Sequence, residues 1–184
     1  MADVMRADAR RNRDRILQAA AAAFAAADSV SLEGIARDAG VGIGTLYRHF
    51  PSREALVEAV YRAELAEVAD SAQALLRTHP PVEALRRWMD RYAQFVAAKR
   101  GMAESLRAIF ETGTVAQSDT RTAVLAAVDA LLAAGAEDGS LRSDVPADDV
   151  VTGLLGIMLA SGSLEQSQRM FDLLLAGLVA ARAN

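Results

Sequence analysis

The sequence predicts an all-α protein: an N-terminal three-helix helix-turn-helix domain, then a C-terminal helical bundle, about nine helices in all. Three observations lead there. Ala and Leu dominate the 52% of residues that are hydrophobic, prolines number only 4 in 184, and β-branched runs are few, which together favour helix over sheet. Apolar residues recur at three- and four-residue spacing along most of the chain. Ser, Gly and Pro stand where those periodic stretches begin and stop.

The first helix is expected over Arg10–Ala27, where Ile16, Ala20 and Phe24 recur every four residues and Leu17 widens the stripe. Asp28-Ser29-Val30 breaks it. Ser31 is a good N-cap, with Glu33 in the first turn favoured by the helix dipole. The second helix, Leu32–Ala39, buries Leu32, Ile35, Ala36 and Ala39 by spacing, and Gly40 supplies the backbone freedom for a tight helical end. A short third helix runs from about Ile43 to Phe50 and is stopped by Pro51. Ile35-Ala36, Gly40-Val41 and Leu46 have the layout of a helix-turn-helix: a small residue where the helices cross, a glycine at the turn, and two apolar wedges.

Ser52 caps a long fourth helix, Arg53–Leu76, with an apolar seam of Leu56, Val60, Leu65, Val68 and Leu75. Thr78-His79-Pro80-Pro81 ends it. Further helices are expected over Val82–Lys99, Met102–Thr112, Asp119–Ala136, Ala147–Ser161 and Leu164–Ala181, with Gly113–Ser118 and Glu137–Val145 as connections. Pro146 suits a first helical turn, and Ser163 with Gln166 forms a capping box for the last helix. A domain boundary is placed at 62/63.

Composition narrows the function. With no cysteine there is no disulfide, thiolate metal site or thiol nucleophile. The two histidines are poorly placed for catalysis, and His79 reads as a linker residue. Asp148-Asp149 lies at a helix start, where capping explains it. No catalytic residue, metal or cofactor is therefore expected. The charged N-terminus lacks a secretory apolar core and no apolar run reaches membrane length, so a cytoplasmic protein without membrane contact is expected. The net charge of −4 argues against a general nucleic-acid coat. Yet residues 1–62 carry nine arginines against eight acids, and five of those (Arg6, Arg10, Arg11, Arg13 and Arg15) crowd the N-terminus. The short helix of residues 43–50, with polar groups facing outward and little surface to stabilise itself, is suited to being offered to DNA. The rival reading is a helical ligand carrier or enzyme whose helix-turn-helix is incidental.

The stretches RDRILQAAAAAF and SLEGIARDAGVGIGTLYRHFPSREALVEAV resemble the TetR (tetracycline-repressor-like) family of bacterial regulators, the run GTLYRHFPSREAL most specifically. The likeness covers about residues 10–62. A weaker one over HPPVEALRRWMDRYAQFVAAKRGM points to a common subgroup. The corner AAADSVSLEG is shorter than the glycine-containing family form, and a tightened turn is expected there.

The resemblance implies a repressor that binds a palindromic double-stranded operator as a homodimer and is released by a small molecule. Its DNA-binding set would be Ser31, Arg37, Gly42, Gly44, Thr45, Tyr47, Arg48, His49 and Arg53. The short helix would enter the major groove, Gly42 and Gly44 would admit backbone close to phosphates, and Arg53 would meet a phosphate. Leu46 and Phe50 would face the core. The regulatory part, residues 63–184, would hold a small apolar or aromatic effector among Trp88, Met89, Tyr92, Phe95, Met102, Phe110 and Met158. The last two helices, more apolar than one stripe can bury, would form a four-helix dimer interface through Leu154, Leu155, Met158, Phe171, Leu174, Leu175 and Leu178.

Overall fold

The computed structural model describes residues 2–26, 30–98 and 117–180, and side chains within them from Arg6 and, after the gap, from Thr120. The described residues form eight helices: α1 (Ala2–Ala26), α2 (Leu32–Asp38), α3 (Ile43–His49), α4 (Arg53–Leu76), α5 (Pro81–Ala98), α6 (Gln117–Glu137), α7 (Ala147–Ala160) and α8 (Leu164–Leu178). The fold is all-α, with an isolated bridge between Leu141 and Val179. The helix expected over Met102–Thr112, the connection after it up to residue 116 and most of the short corner before Val30 lie outside the described residues, while Gln117 and Ser118, expected in that connection, already belong to α6.

Helix ends differ from expectation for local reasons. The first helix begins at Ala2 rather than Arg10. Its added turns have no apolar stripe, and Asp8 ties them to the expected helix through an i,i+3 pair with Arg11. The last helix stops at Leu178 rather than Ala181, because the chain turns extended there. Leu178 O accepts from Arg142 N–H at 2.9 Å, and Ala180 N–H donates to Ser140 O at 3.0 Å.

The chain falls into two compact units that divide within α4, between Ala63 and Glu64. The first unit is built on one apolar cluster. Ile16, Ala20 and Phe24 come from α1, Ile35 and Ala36 with Ala39 from α2 and its cap, Leu46 and Phe50 from α3 and its cap, and Leu56, Val57 and Val60 from α4. The corner between α2 and α3 is a Schellman turn. Gly40 N–H bonds Arg37 O at 3.0 Å and Val41 N–H bonds Ala36 O at 2.9 Å. Gly40 has φ +65°, the left-handed region that a side chain rarely tolerates. Ser31 Oγ caps α2 by accepting from Gly34 N–H at 3.0 Å, and Ser52 Oγ accepts from Ala55 N–H at 3.1 Å at the start of α4.

In the second unit α6 packs on α7 and α7 on α8. Trp88 and Met89 of α5, Leu131 of α6, Leu154 of α7 and Phe171 of α8 are fully buried. The Trp88 indole N–H is satisfied by Val68 O of α4 at 2.9 Å, which removes the cost of burying it. Arg86 of α5 reaches Asp172 of α8 at 2.8 Å, and Arg121 of α6 pairs with Asp148 of α7. Gly135 has to be small: a Cβ there would lie 2.4 Å from Leu141 Cδ1.

Candidate nucleic-acid interface

α3 has an inner and an outer side. Leu46 and Phe50, one helical turn apart, are buried and fix the helix in the first unit's core. On the outer side Tyr47 is 46% exposed, Arg48 is exposed, and Thr45 and His49 are half-buried. Arg48 folds back along its own helix, its Nε donating to Gly44 O at 3.2 Å and its Nη2 to Thr45 Oγ1 at 3.4 Å. These are surface bonds that a stronger acceptor can replace. His49 lies tilted against Phe50, with ring centroids 6.3 Å apart.

Gly42 and Gly44 flank this surface, and a Cβ built on either meets no other atom within 4 Å. The interior of the chain therefore does not demand glycine at these two positions. Ile43 between them is also exposed, at 37%. It is absent from the expected set because spacing is ambiguous there: Ile43 stands three residues before buried Leu46 and four before exposed Tyr47.

The other expected DNA-binding residues divide. Arg37 and Ser31 are exposed, with the Ser31 oxygen engaged in the α2 cap. Arg53 is half-buried and turned inward: its Nη1 donates to Val30 O at 2.5 Å and its Cζ lies 5.5 Å from the Phe24 ring centroid. Of the N-terminal arginines, Arg6, Arg10, Arg11, Arg13 and Arg15 are all exposed. Arg13 lies over the Phe50 ring at 5.2 Å, which places a cation beside the end of α3.

In the second unit the expected effector residues Trp88, Met89, Tyr92, Phe95 and Met158 are all buried. Trp88 and Tyr92 stack at 5.4 Å between centroids with an 8° interplanar angle. Met102 and Phe110 lie outside the described residues. The expected interface residues also divide. Leu154, Met158, Phe171 and Leu178 are buried in the single chain, so their apolar surface is already used there. Leu155, Leu174 and Leu175 are half-buried. The strongly exposed apolar side chains of α7 and α8 are instead Leu159 (85%), Leu164, Met170 and Leu173 (66%).

Comparison with known proteins decides what carries this surface. Residues 16–60 match the family described as "Bacterial regulatory proteins, tetR family", and residues 80–180 match "Transcriptional regulator SbtR-like, C-terminal domain". The chain belongs to the TetR family. The crystal structure of the TetR transcriptional regulator SCO0520 from Streptomyces coelicolor is similar at 45% identity and a TM-score of 0.78, covering 92% of this chain and 99% of that one. A TetR transcription regulatory protein from Mycobacterium vanbaalenii is 35% identical with a TM-score of 0.74, over 96% and 99% of the two chains. The regulator UidR of Escherichia coli is 36% identical over 87 residues, so this chain matches only 41% of that relative's length. As a TetR-family protein the chain is a DNA-binding transcriptional regulator, and its helix-turn-helix is not incidental. No helix among the described residues is long and apolar enough to cross a membrane.

Proposed function

We propose that this TetR-family regulator is a dimeric repressor that reads a palindromic operator and is released by a small apolar or aromatic molecule. The observation that carries the reading is the division of α3: Leu46 and Phe50 anchor it, while Gly42, Ile43, Gly44, Tyr47 and Arg48 are left for a partner. In the major groove the Thr45 and Ile43 methyls suit a thymine methyl, Arg48 suits a guanine edge, and Tyr47 and His49 suit phosphate oxygens. Arg37 and the arginines of α1 add phosphate attraction. One seven-residue helix reads only a few base pairs, so two copies about 34–36 Å apart are needed to meet successive major grooves.

The dimer face we propose is centred on exposed Leu159, Leu164, Met170 and Leu173, continued by half-buried Leu155, Leu174 and Leu175. Apolar surface of this kind on two adjacent helices supports a four-helix interface. Gly153 sits against Leu174 within the chain, whereas a Cβ on Gly156 would meet open space, which lets a partner helix approach there. The effector is proposed to bind among Tyr92, Phe95 and Met158, beside the Trp88–Tyr92 stack. It would act by favouring one position of α4, and can shift that equilibrium only by its differential affinity for the two states.

The test is the doubly substituted Thr45→Ala, Tyr47→Ala protein in a gel shift at fixed salt on an operator selected with the wild type. Both side chains lie on the outer side of α3, so the variant should stay folded and lose operator binding. Unchanged binding would remove the recognition-helix assignment.

A further inference from the structure

We infer that a groove of the first unit, between α1 and α4 at the end of α3, binds a small planar organic anion, and that the bound anion opposes operator binding. The opposition rests on the reading of α3 as the operator-binding helix. The groove has a volume of about 480 Å³, within the range of small-molecule sites. Its floor is apolar: the Phe50 ring at the cap of α3, and the methyl groups of Ala55 and Ala59, one turn apart on α4. Its walls carry nitrogen donors. Arg13 of α1 stands over the Phe50 ring at 5.2 Å, His49 ends α3, and Arg62 follows Ala59 along α4.

The charges suit a monoanion. Glu58 pairs with Arg62 Nη2 at 3.0 Å, so those two cancel and Arg13 leaves the groove with one net positive charge. Its donors are under-used. A guanidinium over a ring spends its face, and the in-plane N–H groups of Arg13 stay open to a carboxylate. Arg62 Nε is buried and has no hydrogen-bond partner among the described residues, which costs stability until an acceptor arrives. The Arg62 side chain is 39% exposed overall, so it can swing to meet one. The floor calls for a ring and the walls for its carboxylate, whereas a duplex phosphate offers charge alone. Phe50 belongs to the inner side of α3, so a ring seated on it lies behind the side that faces the operator. The carboxylate of such a ligand would engage Arg13 and His49, donors that would otherwise serve operator phosphates.

The test titrates 2-naphthoate, an aromatic monoanion, into the full-length DNA-free protein with isotope-labelled alanine methyl groups. The Ala55 and Ala59 signals should shift and saturate, with a dissociation constant of about 1 mM or below. Arg13→Gln removes the unpaired charge and Ala59→Leu fills the floor; each should weaken binding by about tenfold, read at Ala55. Two control compounds, 2-naphthylmethanol with the ring alone and inorganic phosphate with the charge alone, should also bind about tenfold more weakly. Shifts that do not saturate, shifts confined to other alanines, or equal binding by either control compound or by both variants overturns the inference. Should one variant fail to fold, the other and the control compounds still decide. On the selected operator, saturating 2-naphthoate should lower wild-type affinity by about tenfold and leave that of Ala59→Leu unchanged. An unchanged wild-type affinity overturns the opposition. If the wild type selects no operator, the operator reading fails while the methyl titration still decides the site.

Discussion

Gly44→Ala separates what the chain needs from what its partner needs. Gly44 is the second residue of α3, in ordinary helical backbone, and a Cβ there meets nothing within 4 Å. The free protein has no steric reason to resist the methyl. It should gain from the substitution, because glycine in a helix costs about 0.5–1 kcal/mol relative to alanine through its larger unfolded-state entropy. For a chain of this length that gain raises the melting temperature by about 1–4 °C. The methyl would stand on the surface where DNA backbone and base edges have to come close, so operator affinity should fall by about tenfold or more, a loss of about 1.4 kcal/mol. Thermal melting and fluorescence anisotropy on the same preparation read the two effects. A lower melting temperature would show that the glycine serves the fold, and unchanged affinity would show that nothing approaches α3 closely. Either result would refute the reasoning.

Leu173→Glu places a charge at the most exposed large apolar side chain of α8 and should give monomers by light scattering with the helical content retained, whereas a persisting dimer puts the interface elsewhere. The Glu54 carboxyl is held below its ordinary value, first by its own backbone N–H and then by the Ser52 hydroxyl. A lowered folded-state value means that its stabilisation is present above the unfolded value near 4.5 and lost as pH falls through the folded one. Glu54→Gln should therefore melt below the wild type at pH 6, with the gap closing at pH values below about 4.5. A gap that does not depend on pH would contradict that account.

The first unit was largely legible in the sequence because its signals are local. Ile16, Ala20 and Phe24 keep strict spacing, Gly40 has to take positive φ, and Ser31 and Ser52 cap their helices as their positions demand. The internal partner of Arg53 was less legible, since a cation at a helix start gives no sign of a carbonyl within its reach. That carbonyl belongs to Val30, 23 residues away, and spacing cannot reveal it. The face assignment of α7 and α8 was harder still. Both helices are apolar on more than one side, and periodicity does not say which side serves the chain's own core. Met158 and Leu159 are neighbours in sequence, yet one is buried and the other is 85% exposed. The early start of α1 was hidden for the opposite reason: charged residues joined by i,i+3 pairs leave no apolar trace.

The central proposal, that two copies of α3 read a two-fold operator, is tested most directly by selecting bound sequences from a random duplex pool with the wild-type chain. The enriched sequences should contain inverted half-sites whose centres lie about 10 base pairs apart or at a multiple of that spacing, and binding them should weaken steeply with salt. Enrichment of a single asymmetric site, or of no sequence at all, would contradict it.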